Sequence, residues 1–180
     1  MQLYLKHSMT SKDFKNIILE RLSELLKPRH FKKSGNSFKF SNGNLTYYIG
    51  LQSSKYSTSD ILTVTFNLGI ASELLYKLQG KFITSHLQGH YIKRIGAYLE
   101  KPIDKWWTIA SEDLAIISAN EIVAIVEKKV IPEFDSITKT KNLVNIWLTE
   151  ASKELNNIET QEYLALLSNA QFDNSRNSCM

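Results

Sequence analysis

The chain has 180 residues, 43% hydrophobic and 22% charged, which is enough apolar material for a sizeable core, and its three Pro and seven Gly exclude a linker-like or collagen-like chain. The single cysteine, Cys179, excludes an intramolecular disulfide or a multi-cysteine zinc site; with an N-terminal apolar run too short for a signal sequence, it sets the expectation of a cytoplasmic protein. The net charge of +4 is divided unevenly, with 16 Lys+Arg against 7 Asp+Glu in residues 1–110 (+9) and 6 against 11 in residues 111–180 (−5), so either a basic binding face or mutual attraction of the two halves is expected.

Thr10 or Ser11 can cap a first helix whose Phe14, Ile17, Ile18, Leu22, Leu25 and Leu26 recur at the spacing of one buried stripe, and Pro28 stops it. Arg29–Asn36 then reads as a basic turn or short edge strand. Asn42-Gly43 signals a two-residue type I′ hairpin loop, which sets Ser41 opposite Asn44, Phe40 opposite Leu45, Lys39 opposite Thr46 and Phe38 opposite Tyr47. The second strand continues with Ile49 and Leu51 inward and Tyr48, Gly50 and Gln52 outward, and a polar loop, Ser53–Asp60, follows.

The third strand is the clearest of all. Leu62, Val64, Phe66, Leu68 and Ile70 occupy one face, and Thr63, Thr65, Asn67 and Gly69 the other. A short helix over Glu73–Leu78 is next, then a loop holding His86 and His90. Tyr91–Leu99 alternates again, with Ile95, Ala97 and Leu99 inward and Arg94, Gly96 and Tyr98 outward, and Trp106–Ile109 supplies a fifth strand. From Ser111 the pattern is helical to Ile131, since about 20 residues without a turn signal exceed a strand, and Pro132 forbids simple continuation. Helices near Lys141–Leu155 and Thr160–Ala170 and a frayed tail over 173–180 complete the chain. The expectation is a single α+β domain over residues 1–172, strand-rich over 30–110 and helical over 111–170. Its antiparallel sheet has about five strands, with helices packed on one face.

Little in this chain carries chemistry. His86 and His90 are four apart, but Gly89 weakens a helix there and no third ligand is evident, so no metal site is expected. No Gly-x-Ser-x-Gly elbow, phosphate-binding loop or dinucleotide fingerprint occurs, and no cofactor is expected. Two surfaces remain. One is the polar sheet face, with Tyr48, Gln52, Thr65, Asn67, Arg94 and one of Trp106 and Trp107, beside Thr63 and Tyr98. Its Tyr, Trp and Arg side chains are typical protein-contact anchors, although each is also an ordinary solvent-side strand residue. The other is the basic segment Lys27–Lys39, with Arg29, Lys32, Lys33 and Lys39 as candidate phosphate contacts for nucleic acid; lysines that discourage sheet-edge aggregation are the competing account.

Leu26–Phe38, Gly50–Ser54, Thr65–Ile70, Arg94-Ile95-Gly96 and Asp104–Trp107 together resemble the bacterial family catalogued as domain of unknown function 4304, in the right order across most of residues 12–150. The resemblance implies a small cytosolic α+β protein and carries no activity, cofactor or catalytic residue. It also sets His30 where the family usually has glycine, which bears on the turn geometry there. Families of this size and style are often encoded beside toxins as immunity proteins. The favoured expectation is therefore a non-catalytic protein-binding module of immunity or adaptor type, with a protein partner such as a toxin. Nucleic-acid binding through the basic segment and an enzyme with a dispersed site around Asn67, Arg94 and Trp106/Trp107 are the alternatives, and no catalytic residue is assigned.

Overall fold

The computed structural model describes residues 9–80, 89–148 and 161–168. Helix α1 (Ser11–Leu26) opens on Thr10, whose hydroxyl accepts from the Asp13 N–H while its own N–H donates to the Asp13 carboxylate, a reciprocal capping box. Phe14, Ile18, Leu19, Leu22 and Leu26 are buried. A tight turn over Lys27–Arg29 ends the helix, and His30 there has φ 65°, the left-handed conformation that glycine adopts at no steric cost.

Among the described residues the sheet has six antiparallel strands, β1 (Lys32–Ser34), β2 (Ser37–Asn42), β3 (Leu45–Ser53), β4 (Leu62–Ser72), β5 (Tyr91–Arg94) and β6 (Trp107–Ile109). They run β1-β2-β3-β4-β5, and β6 also pairs with β4. Strand β4 is the spine: β3 pairs with it from Leu45↔Ser72 to Ser53↔Val64, while β5 and β6 share its other edge at Asn67–Ile70 and Leu62–Val64. Its inward side chains Leu62, Val64, Phe66, Leu68 and Ile70 are all essentially inaccessible. About 1.5–3 kcal/mol of transfer free energy accompanies each such burial.

The β2–β3 hairpin differs from the expected register. Asn42 pairs with Leu45, Phe40 with Tyr47 and Phe38 with Ile49, so the loop is Gly43-Asn44. Positive φ falls on Gly43 (56°) and not on Asn44, as in a type II′ loop, where only the first position needs it. Because the shift is by two residues, every side chain keeps its face.

Helix α2 (Glu73–Leu78) follows β4 directly. Beyond Arg94 the expected strand does not continue. Ile95–Tyr98 winds into a tight helical turn, and Tyr98 swings to the inner side rather than lying outward beside Arg94. The run after Ser111 is also longer than Pro132 suggests: α3 (Glu112–Ile125) passes through a wide turn over Val126–Val130 into α4 (Ile131–Ser136). The Ile131 N–H bonds Val126 O across that turn, and Pro132 falls in the first turn of α4, where its missing N–H is tolerated. Ala115, Ser118, Ala119 and Ile122 are the buried face of α3, and the small size of the first three lets α3 lie close against α1 on the inner side of the sheet. Helix α5 (Thr140–Leu148) and a helical segment over 161–168 represent the two expected C-terminal helices, the remainder of which lies outside the described residues.

An aromatic chain, Phe31–Phe40–Tyr47–Phe134, joins the β1 edge to α4 with ring centroids 5.4, 5.7 and 5.4 Å apart, and the Tyr47 hydroxyl donates to Ile137 O. At the opposite edge Glu133 of α4 accepts from the Tyr91 hydroxyl (2.6 Å), the Lys93 ammonium (2.6 Å) and the Tyr98 hydroxyl. Burial pushes this carboxyl up, but the three donors, Lys93 foremost, outweigh it and hold it below the usual glutamate range. A depressed carboxyl stabilises the fold above its unfolded-state value and ceases to do so as pH falls through its folded value. Glu133→Gln is expected to cost about 1–3 kcal/mol at neutral pH, with the deficit shrinking on acidification toward pH ~3. Urea unfolding of both proteins at the two pH values checks this, and a deficit independent of pH would refute it.

Candidate functional site

Cross-strand register sorts the outer-face residues into rows. Ser37, Gly50, Asn67 and Arg94 form one row, and Lys32, Lys39, Tyr48, Gly69 and Ile92 the next. The outer face is not an open plane. Tyr48 is buried with Ala71 and Tyr76 of α2, so it has no free contact surface. His90 lies 4.5 Å from the Tyr76 ring and 5.0 Å from that of Tyr163 in the 161–168 segment. Its Nδ1 accepts the Ser72 N–H (2.9 Å), which requires the neutral ring with the proton on Nε2, facing Gln79 Oε1 at 3.5 Å. His90 is thus a core residue, and His86 lies outside the described residues. Among the described residues no group of three or more His, Cys, Asp or Glu is placed to hold a metal.

Around Thr65 the outer face is covered by the segment linking Tyr98 to β6. Thr65 occupies the gap on β4 between its β5 and β6 pairings, is fully buried, and donates its hydroxyl to Lys105 O at 2.8 Å. Gly96 makes this docking feasible, since a Cβ there would stand 1.9 Å from Ile103 O and 2.8 Å from Lys105 N. The parity of β6 settles which tryptophan faces out. Trp107, opposite Val64, points to the core and donates to Glu121 of α3 (2.8 Å), leaving Trp106 outside.

Beside that crossing, accessible residues form a compact patch. The Arg94 guanidinium donates to Asp104 (2.6 Å), the Trp106 indole N–H donates to the other Asp104 oxygen (3.1 Å), and the guanidinium stands 5.5 Å from the Trp106 ring. The Arg94 hydrogen bond, then that of Trp106, holds the Asp104 carboxyl below its ordinary value. Asn67 donates to Gln52 Oε1 at 2.8 Å. Asn67, Arg94, Ile103 and Asp104 line one open cleft, and Ile103 is 58% exposed at its rim. Of the sequence-derived residues, the structure brings Gln52, Asn67, Arg94 and Trp106 together and removes Tyr48, Thr65 and Trp107 from the surface. Asp104 and Ile103 also belong to the site, and sequence pattern does not reveal them, because an irregular segment has no periodicity to mark which side chains face outward.

The basic segment divides. Lys32 and Lys39 are partners on the outer face, whereas Lys33 stands opposite Phe38 with the other parity. Arg29 turns back to Leu25 O (2.9 Å) and toward Glu127 (3.9 Å), at the mouth of a cavity of about 170 Å³ walled by Phe31, Phe40, Tyr47 and Phe134.

The model of one protein family matches residues 22–136, from the second half of α1 to the end of α4. The chain belongs to that family, described as a domain of unknown function (DUF4304). No curated protein and no solved structure matches the chain. Every residue of the patch and of the basic cluster lies within the DUF4304 segment. So does His30, whose positive φ explains why glycine suits that position.

Docking of the Tyr98–Trp106 segment through Gly96 leads to a direct test. Gly96→Ala forces its backbone off the sheet and is expected to cost about 1–3 kcal/mol in denaturant unfolding. A neutral effect would contradict the close approach.

Proposed function

We propose that the protein is a non-catalytic protein-binding module of immunity or adaptor type, working in the cytoplasm. Its contact surface is the Arg94–Asp104–Trp106 cluster with Gln52, Asn67 and Ile103. The observation that carries this reading is that Arg94 and Trp106, two residue types that commonly dominate binding energy, are already locked together through Asp104 beside an exposed isoleucine. Side chains held in place before association lose less entropy when a partner docks. The segment presenting them is tied down by Thr65 and seated on Gly96.

The dispersed-site enzyme reading gathers Asn67, Arg94 and Asp104 in one cleft, but both Asp104 oxygens are already engaged, one by the Arg94 guanidinium and the other by the Trp106 indole N–H. That favours contact over catalysis. No helix among the described residues is long and apolar enough to cross a membrane.

The test is capture of a stoichiometric partner from native lysate, followed by affinity measurement with purified components. Arg94→Ala and Trp106→Ala are each expected to weaken that complex about tenfold or more while leaving the unfolding midpoint near that of the parent. Recovery of no stoichiometric partner, or a complex indifferent to both substitutions, would end this proposal.

A further inference from the structure

Lys32 and Lys39 are direct cross-strand partners on the outer face, so their Cβ atoms stand about 4.5–5.5 Å apart and both ammonium groups leave the sheet on the same side. His30 and Ser41 border the same cleft, and all four residues are exposed. His30 has the left-handed backbone noted above, φ 65°. Among the described residues no carboxylate comes within 4 Å of His30, Lys32 or Lys39, whereas Arg29, Lys93, Arg94 and Lys105 each have one.

Like charges placed directly opposite on an antiparallel pair destabilise it. Protection of a sheet edge calls for charge on β1, but Lys33 supplies that as well, and protection does not call for a second lysine directly opposite Lys32 on β2, where Lys39 Nζ lies 5.7 Å from the centre of the Tyr48 ring. An anion seated between them reverses the sign of the interaction, since repulsion becomes two-point binding of one group.

We propose that the Lys32–Lys39 cleft, with His30 and Ser41 at its border, is a binding site for a phosphate group. A phosphate monoester carries nearly two negative charges at neutral pH and three acceptor oxygens, which matches two ammonium groups and a neighbouring hydroxyl or imidazole. The convergence is on one phosphate rather than along a strand of nucleic acid. Lys33 stands on the other side of β1, and Arg29 is directed toward Glu127. The site goes beyond the protein-binding reading, because β2 is separated from β5 by two strands, about 14 Å across the sheet. Each proposal can fail while the other stands.

Thermal unfolding of the full chain in inorganic phosphate or pyrophosphate, against sodium chloride at matched ionic strength, is the first measurement. Phosphate is expected to raise the midpoint of the parent protein beyond the chloride effect, and of Lys33→Gln equally. Lys32→Gln and Lys39→Gln are expected to lose that response and to bind pyrophosphate about tenfold more weakly in titration calorimetry. In low salt without phosphate, Lys32→Gln is expected to melt about 1–3 °C above the parent, because the repulsion is gone. A parent midpoint indifferent to phosphate, or a phosphate response retained in both Lys32→Gln and Lys39→Gln, would overturn the assignment. Terminally phosphorylated and unphosphorylated oligothymidylates then distinguish the source. Preference for the terminal phosphate identifies a monoester, and equal binding with steep salt dependence identifies nucleic-acid backbone.

Discussion

The fold depends on burial along one side of β4. Five alternate side chains, Leu62 to Ile70, face the helix layer and are closed off from water, and the strand is long enough to pair with β3 on one edge and with both β5 and β6 on the other. Slipping β4 by one residue would present Thr63, Thr65 and Asn67 to the core and Phe66 to the outside, so register here is set by hydrophobic free energy far more than by hydrogen bonding, which either register satisfies. Helices α1 and α3 then have one place to put their apolar stripes. The small buried residues of α3 allow both to lie over the same sheet.

The other side of β4 shows how the site arises. Two strands of different origin share one edge of β4, and the chain between them must travel from Arg94 to Trp107 without leaving the sheet. It crosses the outer face at the unpaired Thr65, and the missing side chain of Gly96 leaves room for the crossing. The crossing segment carries Ile103, Asp104 and Trp106 to Arg94. The patch is therefore a by-product of a strand-pairing problem. Its rigidity has the same origin, since moving Asp104 means undoing the contacts over Thr65 and Gly96.

Charge is distributed with a clear division of labour. Lys93 ties β5 to α4 through Glu133, Lys105 and Trp107 tie β6 to α3 through Glu121, and Arg29 leans toward Glu127. The acidic excess of residues 111–180 thus meets part of the basic excess of residues 1–110 across the sheet–helix interface. Arg94 has a local acid of its own in Asp104. Against that background Lys32 and Lys39 stand out, being paired opposite each other with no ion pair to an acid among the described residues.

Much of this was legible in the residues themselves. The α+β class, the inward faces of β3 and β4, the Thr10 cap and the helix Glu73–Leu78 follow from periodicity and capping chemistry, which are local. Its glycine places the hairpin but leaves the register open by two residues, because Asn-Gly suits more than one loop type and only the flanking pairing chooses. The end of β5, the inward swing of Tyr98 and the passage of helix through Pro132 were not legible, since each depends on a distant partner: Ile103 over Gly96, Glu133 beneath Tyr98, and the wide turn before α4. Alternation told which side of each strand is polar. Whether a polar side meets water is decided by what crosses over it, and for Thr65 and Tyr48 that was settled by chain segments 40 and 28 residues further along, in Lys105 and Tyr76.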